Sequence, residues 1–200
     1  VQSRKLKANP CLVGEARVGK TTIEYGLVQR ILNGDVPNEL KEKHIVYINS
    51  SLLTAGTRFR GDFEERMAIL LDWASNTNVI IFFDEIHTFI DLNNSGSESN
   101  SAGIMIKKYL SDGTIHIIGA TTPKEYHASI EKDKAFSRRI QKIDIHEPSI
   151  KDTIKMINNT KKDYEVFHKV KINNEAIDSA VQLSVRYIKN KFLPDKAYTI

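Results

Sequence analysis

Gly14-Glu-Ala-Arg-Val-Gly-Lys-Thr-Thr22 is the stretch that decides the fold. Its frame, Gly14-x-x-x-x-Gly19-Lys20-Thr21, is the Walker A pattern. It lies where that pattern has physical meaning, after the apolar run Pro10-Cys-Leu-Val13 and before a helical periodicity that opens at Lys20. Glycines let backbone N–H groups close on phosphate oxygens. The Lys20 ammonium then reaches the β/γ oxygens and the Thr21 hydroxyl becomes a ligand for Mg2+. Gly14, Glu15, Ala16, Arg17, Val18, Gly19, Lys20, Thr21 and Thr22 are therefore the candidate nucleotide-binding loop.

Outward from the loop, strands and helices alternate. Ile23, Leu27, Val28, Ile31 and Leu32 recur at helical spacing and predict a helix from Lys20 to about Leu32, ended by Gly34-Asp-Val-Pro37. Residues 44–49 read as a strand and 62–74 as an amphipathic helix, with Asp62, Glu64 and Glu65 suiting its positive end. Residues 79–84 are apolar on both faces, as in the middle of a parallel sheet. The polar stretch 93–101 reads as a mobile loop, 102–110 as a helix, and 116–119 and 141–145 as strands. Beyond Glu147-Pro-Ser149 the strands stop, with Ser149 capping a helix to about 164 and Asn174 a second to 187. The expected architecture is α/β, a parallel sheet flanked by helices over 1–148, then a small, mainly helical domain over 149–200.

The second chemical element is Val79-Ile-Ile-Phe-Phe-Asp-Glu85. A hydrophobic strand delivers Asp84 and Glu85 to its carboxyl end, where such sheets bind ligands. Asp84 suits Mg2+, through water, and Glu85 suits a general base on the attacking water, although an Asp-Glu pair also caps helices with no chemistry attached. His87 in Asp84-Glu-Ile-His87 reads as structural, and Cys11, inside an apolar strand, as a buried inert thiol.

Composition sets the wider bounds. Of 200 residues, 40% are hydrophobic and 27% charged, the balance of a soluble globular chain. The longest apolar run, Val79–Phe83, is far too short to cross a bilayer, so no membrane role is expected. One cysteine and no signal peptide fit a reducing, cytoplasmic setting, or an organelle stroma or matrix if a transit peptide precedes this stretch. Both ends read as cut from a longer protein. The net charge of +4 fits a polyphosphate ligand or an acidic neighbour as well as nucleic acid.

Seven segments extend the match beyond these motifs. They are Asn9-Pro-Cys-Leu-Val-Gly-Glu15, the run from Leu53 to Arg66, Phe83-Asp-Glu-Ile-His-Thr88, Ile118-Gly-Ala-Thr-Thr122, Ile130-Glu-Lys-Asp133, Glu147-Pro-Ser149 and Leu193-Pro-Asp-Lys-Ala197. In content and order they resemble the first ATPase domain of the ClpA/ClpB family of AAA+ unfoldases, looking closer to ClpA. The resemblance implies an AAA+ P-loop NTPase domain with a helical lid, ATP/ADP and Mg2+ as ligands, and a homo-hexamer that threads polypeptide. A Clp protease ring or an adaptor would be a further partner. It also implies roles: Thr122 as the sensor of the γ-phosphate, with Thr121 its neighbour, and Arg138 and Arg139 as fingers acting on the adjacent subunit's nucleotide. Arg58, Phe59, Arg60 and Gly61 would form the pore loop that grips substrate, and Met156 would line the adenine side.

The departures are specific. The family usually has glycine at Arg17, where a left-handed backbone would add roughly 1–2 kcal/mol of strain and a negative φ none. Ser101-Ala-Gly-Ile104 replaces the usual second channel-facing segment, and Ile140 replaces a usual phenylalanine. Two rivals stand beside the unfoldase. A nucleic-acid translocase would need a second motor half, which is not visible. An ATP-binding structural subunit with weak hydrolysis is motivated by Arg17 and by residues 101–104.

Overall fold

The computed structural model describes residues 9–55, 60–90 and 101–200; Arg58 and Phe59, and all of the polar stretch but Ser101, lie outside the described residues. The chain divides into two compact units, one of residues through Val13 with Lys20–Asp144, the other of Gly14–Gly19 with Ile145–Ile200.

The first unit alternates strand and helix: β1 (Asn9–Val13), α1 (Lys20–Leu32), β2 (His44–Ile48), α2 (Ser50–Thr54), α3 (Arg60–Ser75), β3 (Val79–Phe83), α4 (Ile86–Ile90) and α5 (Ser101–Asp112). β4 (His116–Thr121), α6 (Pro123–Glu125), a π-turn over Tyr126–Ile130, α7 (Lys134–Ser137) and β5 (Ile140–Asp144) complete it. All pairings are parallel, in the order β2-β3-β4-β1-β5. Every residue of β1 and β3 is buried, as their unbroken apolar runs require of strands covered on both faces. The Asn9 side chain joins the ladder by accepting from the Ile117 N–H at 2.9 Å.

α3 buries Phe63, Met67, Leu71 and Ala74, one stripe at helical spacing, against a core with Ile81, Phe83, Ile106 and Ile117. Cys11 shares that core, fully buried, and burial pushes its thiol up to about 12. α1 has the expected bounds but a different face. Ile23 and Leu32 are 44% and 80% exposed, and Glu24 is the helix's one buried residue.

In the second unit, α8 (Ile150–His168), α9 (Asn174–Tyr187) and α10 (Asp195–Tyr198) pack around Val181, Leu193 and Ala197. Ser149 caps α8 as expected, its hydroxyl accepting from the Asp152 N–H. The α9 cap is Asn173, not Asn174: Asn173 has the extended backbone a cap needs and accepts from the Ala176 N–H at 2.8 Å. Two sequence segments meet here, because Glu147 accepts from the Leu193 N–H at 2.7 Å and from Lys196 at 3.0 Å. No helix of the described residues is long and apolar enough to cross a membrane.

Candidate nucleotide site

The loop from Gly14 to Gly19 follows β1 directly and runs into α1. Gly14 is required by space: a β-carbon there would sit 2.4 Å from the Ile145 carbonyl oxygen. Gly19 is required by conformation, with φ 104. Val18 is buried, while Glu15, Ala16 and Arg17 are exposed. Of the two conformations open to Arg17, the chain takes the left-handed one, with φ 65. Its guanidinium does not simply point to solvent; Nη1 donates to Asp195 Oδ2 at 3.1 Å. With side chains 67% and 27% exposed, that pair contributes about 0.2–1 kcal/mol, less than the strain it accompanies. Lys20 and Thr21 open α1, both partly buried, and Thr22 is exposed.

At the other end of the motif, β3 ends at Phe83, level with Ile48 of β2 and Gly119 of β4. Asp84 continues past the strand, its N–H still bonded to the Ile48 carbonyl at 2.9 Å. Glu85 then turns through the left-handed region at φ 50. That corner is pinned by its own backbone: the Glu85 N–H donates to Asp84 Oδ1 at 3.1 Å. Its carbonyl accepts from the Thr88 N–H at 2.8 Å and the Thr88 hydroxyl at 2.9 Å. The Glu85 side chain is left exposed.

Two neighbours of Asp84 were not among the sequence candidates. Tyr47 pairs with Phe82 across β2 and β3, their rings stacked at 5.8 Å, and Asp84 lies two residues beyond Phe82 on the same face. The Tyr47 hydroxyl accordingly donates to Asp84 Oδ2 at 2.7 Å. Burial, and then that bond to a carboxylate, push the phenol up to about 12. Glu24 is the second. Its carboxyl is raised by burial and then by the charge of Asp84. Neither is marked by a motif: Tyr47 lies on a half-exposed edge strand, and Glu24 is a charged residue inside a helical run.

At the end of β4, Thr121 is buried and its hydroxyl lies 2.9 Å from His87 Nδ1, a structural use of that histidine. Thr122 is partly exposed and caps α6, its oxygen accepting from the Glu125 N–H at 3.4 Å. Arg138 is exposed at the end of α7, and half-buried Arg139 donates back to the Ala135 carbonyl at 2.9 Å. Asp133 caps α7, accepting from the Ala135 and Phe136 N–H groups and pairing with Lys107. Burial opposes its ionisation, but the Lys107 bond and those two N–H groups hold the carboxyl below its ordinary 3.8. Arg60 and Gly61 form the first turn of α3, and Met156 lies on α8, 44% exposed.

Residues 10–144 match the ATPase family associated with various cellular activities (AAA), and residues 149–200 match the AAA lid domain. The chain is 46% identical over 200 residues to the chaperone protein ClpB 1 of Synechocystis sp., covering 98% of itself and 22% of that protein. It is 40% identical to Hsp104 in the S. cerevisiae Hsp104:casein complex, with a TM-score of 0.87 over 99% of this chain and 34% of that one. Against the S. cerevisiae Hsp104-ADP complex the identity is 38% and the TM-score 0.90, with the same coverages. The chain thus spans about a quarter of the length of the curated relatives it matches.

Proposed function

The chain belongs to the AAA family of ATPases, in its Clp/Hsp100 branch, and from that premise we propose that it is the motor segment of an ATP-driven protein unfoldase. The observation that carries this reading is the end of β3, where Glu85 is fixed by main-chain bonds with its carboxylate left exposed. A general base needs that combination: a fixed position and an unoccupied side chain.

In this reading the loop amides and Lys20 hold the phosphates of ATP. Thr21 directly and Asp84 through water would hold Mg2+, whose hard-cation preference their hydroxyl and carboxylate oxygens fit. When bound, Mg2+ supplies neutralisation of charge on the β- and γ-oxygens. Glu85 takes a proton from water as the water oxygen bonds to the γ-phosphorus. The bond to the β–γ bridging oxygen breaks, leaving ADP and phosphate. Thr122, whose oxygen is used as a cap, keeps its proton to donate to the γ-phosphate or the attacking water. Arg138 and Arg139 act on a neighbouring subunit's nucleotide, where a guanidinium stabilises the charge of phosphoryl transfer.

The work performed is threading of polypeptide through a homo-hexameric ring gripped by Phe59. Similarity to a ClpB chaperone and to Hsp104 in complex with casein supports this over transfer along nucleic acid. Whether a Clp protease ring or an adaptor joins is a matter for pull-down. The test is ATP turnover of the ring assembly with and without unfolded casein, alongside Phe59→Ala. Stimulation by casein, with unfolding lost and ATP binding kept in Phe59→Ala, is the expected result. ATP binding with background turnover in both conditions would instead favour a structural subunit, with the left-handed Arg17 marking a loop that holds nucleotide without firing.

A further inference from the structure

Glu24 has no role in the machinery above, yet it is the one buried residue of α1, 6% exposed, and its Oε2 has no hydrogen-bond partner. It follows Thr21 by three residues and Lys20 by four, so all three lie along one face of the helix, a turn apart. On that face it comes within electrostatic reach of both Asp84 and Tyr47. A helix interior offers many solvent-facing positions for a glutamate; this one is spent inside, next to a second carboxylate. A buried carboxylate oxygen left without a partner is unfavourable, and a neighbouring like charge adds to the cost. A divalent cation relieves both at once.

We propose that Glu24 is a positioning residue for the divalent cation, its unpaired Oε2 accepting a hydrogen bond from a water in the shell of the Mg2+ held by Thr21 and Asp84. This rests on the reading of those two residues as the groups that hold the cation, Asp84 through water. Tyr47 acts on the same carboxylate, its hydroxyl orienting Asp84 through a 2.7 Å bond. The consequence is electrostatic coupling. Without a cation, Glu24 adds negative charge beside bound phosphates and opposes them. With a cation, the same charge strengthens its hold.

The experiment measures the affinity of wild type, Glu24→Gln and Glu24→Leu for ADP, each in magnesium and in excess EDTA. The quantity read is the ratio of the two dissociation constants. Removing an outer-layer partner of a metal costs on the order of tenfold in metal affinity, so the ratio is expected to shrink by about tenfold in both variants. Metal-free ADP binding should be unchanged or tighter, and Glu24→Asp should restore part of the ratio. Equal weakening with and without magnesium would mean that Glu24 only supports the fold, and would overturn the proposal. An unchanged ratio would overturn it as well. Should wild type bind no ADP in either condition, the reading of the loop as a nucleotide site falls first and takes this inference with it.

Discussion

Arg17 and Glu85 are both non-glycine residues in the left-handed region, at φ 65 and φ 50, and they are held there by opposite means. Arg17 is tied through its side chain, which reaches Asp195 across exposed surface. Glu85 is tied through its main chain, by the Asp84 carboxylate on one side and Thr88 on the other. Anchoring by side chain consumes the group that could act on a ligand, whereas anchoring by backbone leaves it available. Strain of roughly 1–3 kcal/mol persists at such positions only when the surroundings over-determine them. By that measure the Glu85 corner is the more firmly built of the two.

The largest test of this contrast is Glu85→Gln. Loss of a general base lowers turnover by roughly two to four orders of magnitude, while ADP titration should show binding intact, since no loop contact is removed. Reduced binding would mean the side chain also helps to hold nucleotide, and the contrast would weaken. Next is Lys196→Met, on the helix that supplies Asp195 to Arg17. Lys196 is 7% exposed, and its loss should destabilise the chain by about 1–3 kcal/mol. Burial works against ionisation of its partner Glu147, but the Leu193 N–H and Lys196 hold that carboxyl below its ordinary 4.5. A carboxyl lowered on folding adds stability that is complete above its unfolded value and lost as pH falls through the folded one. Urea titrations should therefore show a difference between variant and parent that is largest above about pH 4.5 and shrinks below it. A difference independent of pH would leave the methionine's packing as the cause.

A smaller effect is expected of Thr88→Val, which removes the hydroxyl donor to the Glu85 carbonyl and keeps the N–H donor. A loss of about 1 kcal/mol in stability should accompany a fall in turnover of roughly tenfold or less, with ADP binding unmoved. Unaltered turnover would show that one donor suffices at that corner. Smallest is Arg17→Gly, which relieves about 1 kcal/mol of strain and removes an exposed pair of similar or lesser worth. Thermal melts should move by no more than about 1 kcal/mol, toward stability, and the variant should lose salt sensitivity that the parent shows. A clear loss of stability would make the ion pair the dominant anchor, reversing the ranking of the two corners.

Much of this was legible in the residues. The apolar run of β3 could only be a covered strand, and the acids after it had to emerge at its carboxyl end. The loop's glycines are explained by a 2.4 Å approach and a φ of 104. What stayed hidden depends on neighbours distant in sequence. An arginine in a loop does not announce its φ, because the partner that accompanies the left-handed form is 178 positions away. Nothing in the spacing marks Glu24, because charge normally belongs to the outside of a helix. Tyr47 sits on edge strand β2, whose half-exposed pattern gives alternation little to report. The two adjacent asparagines at 173 and 174 are equivalent as letters, and only the backbone dihedral selects the cap.

The burial of Cys11 has a practical consequence for following this motor in time. It is the chain's one cysteine, wholly enclosed, with its thiol pushed up to about 12, so thiolate-directed dyes will pass it over while the fold persists. A cysteine introduced at exposed Ala16 would then carry a fluorophore on the loop itself, with no labelling of Cys11 to subtract.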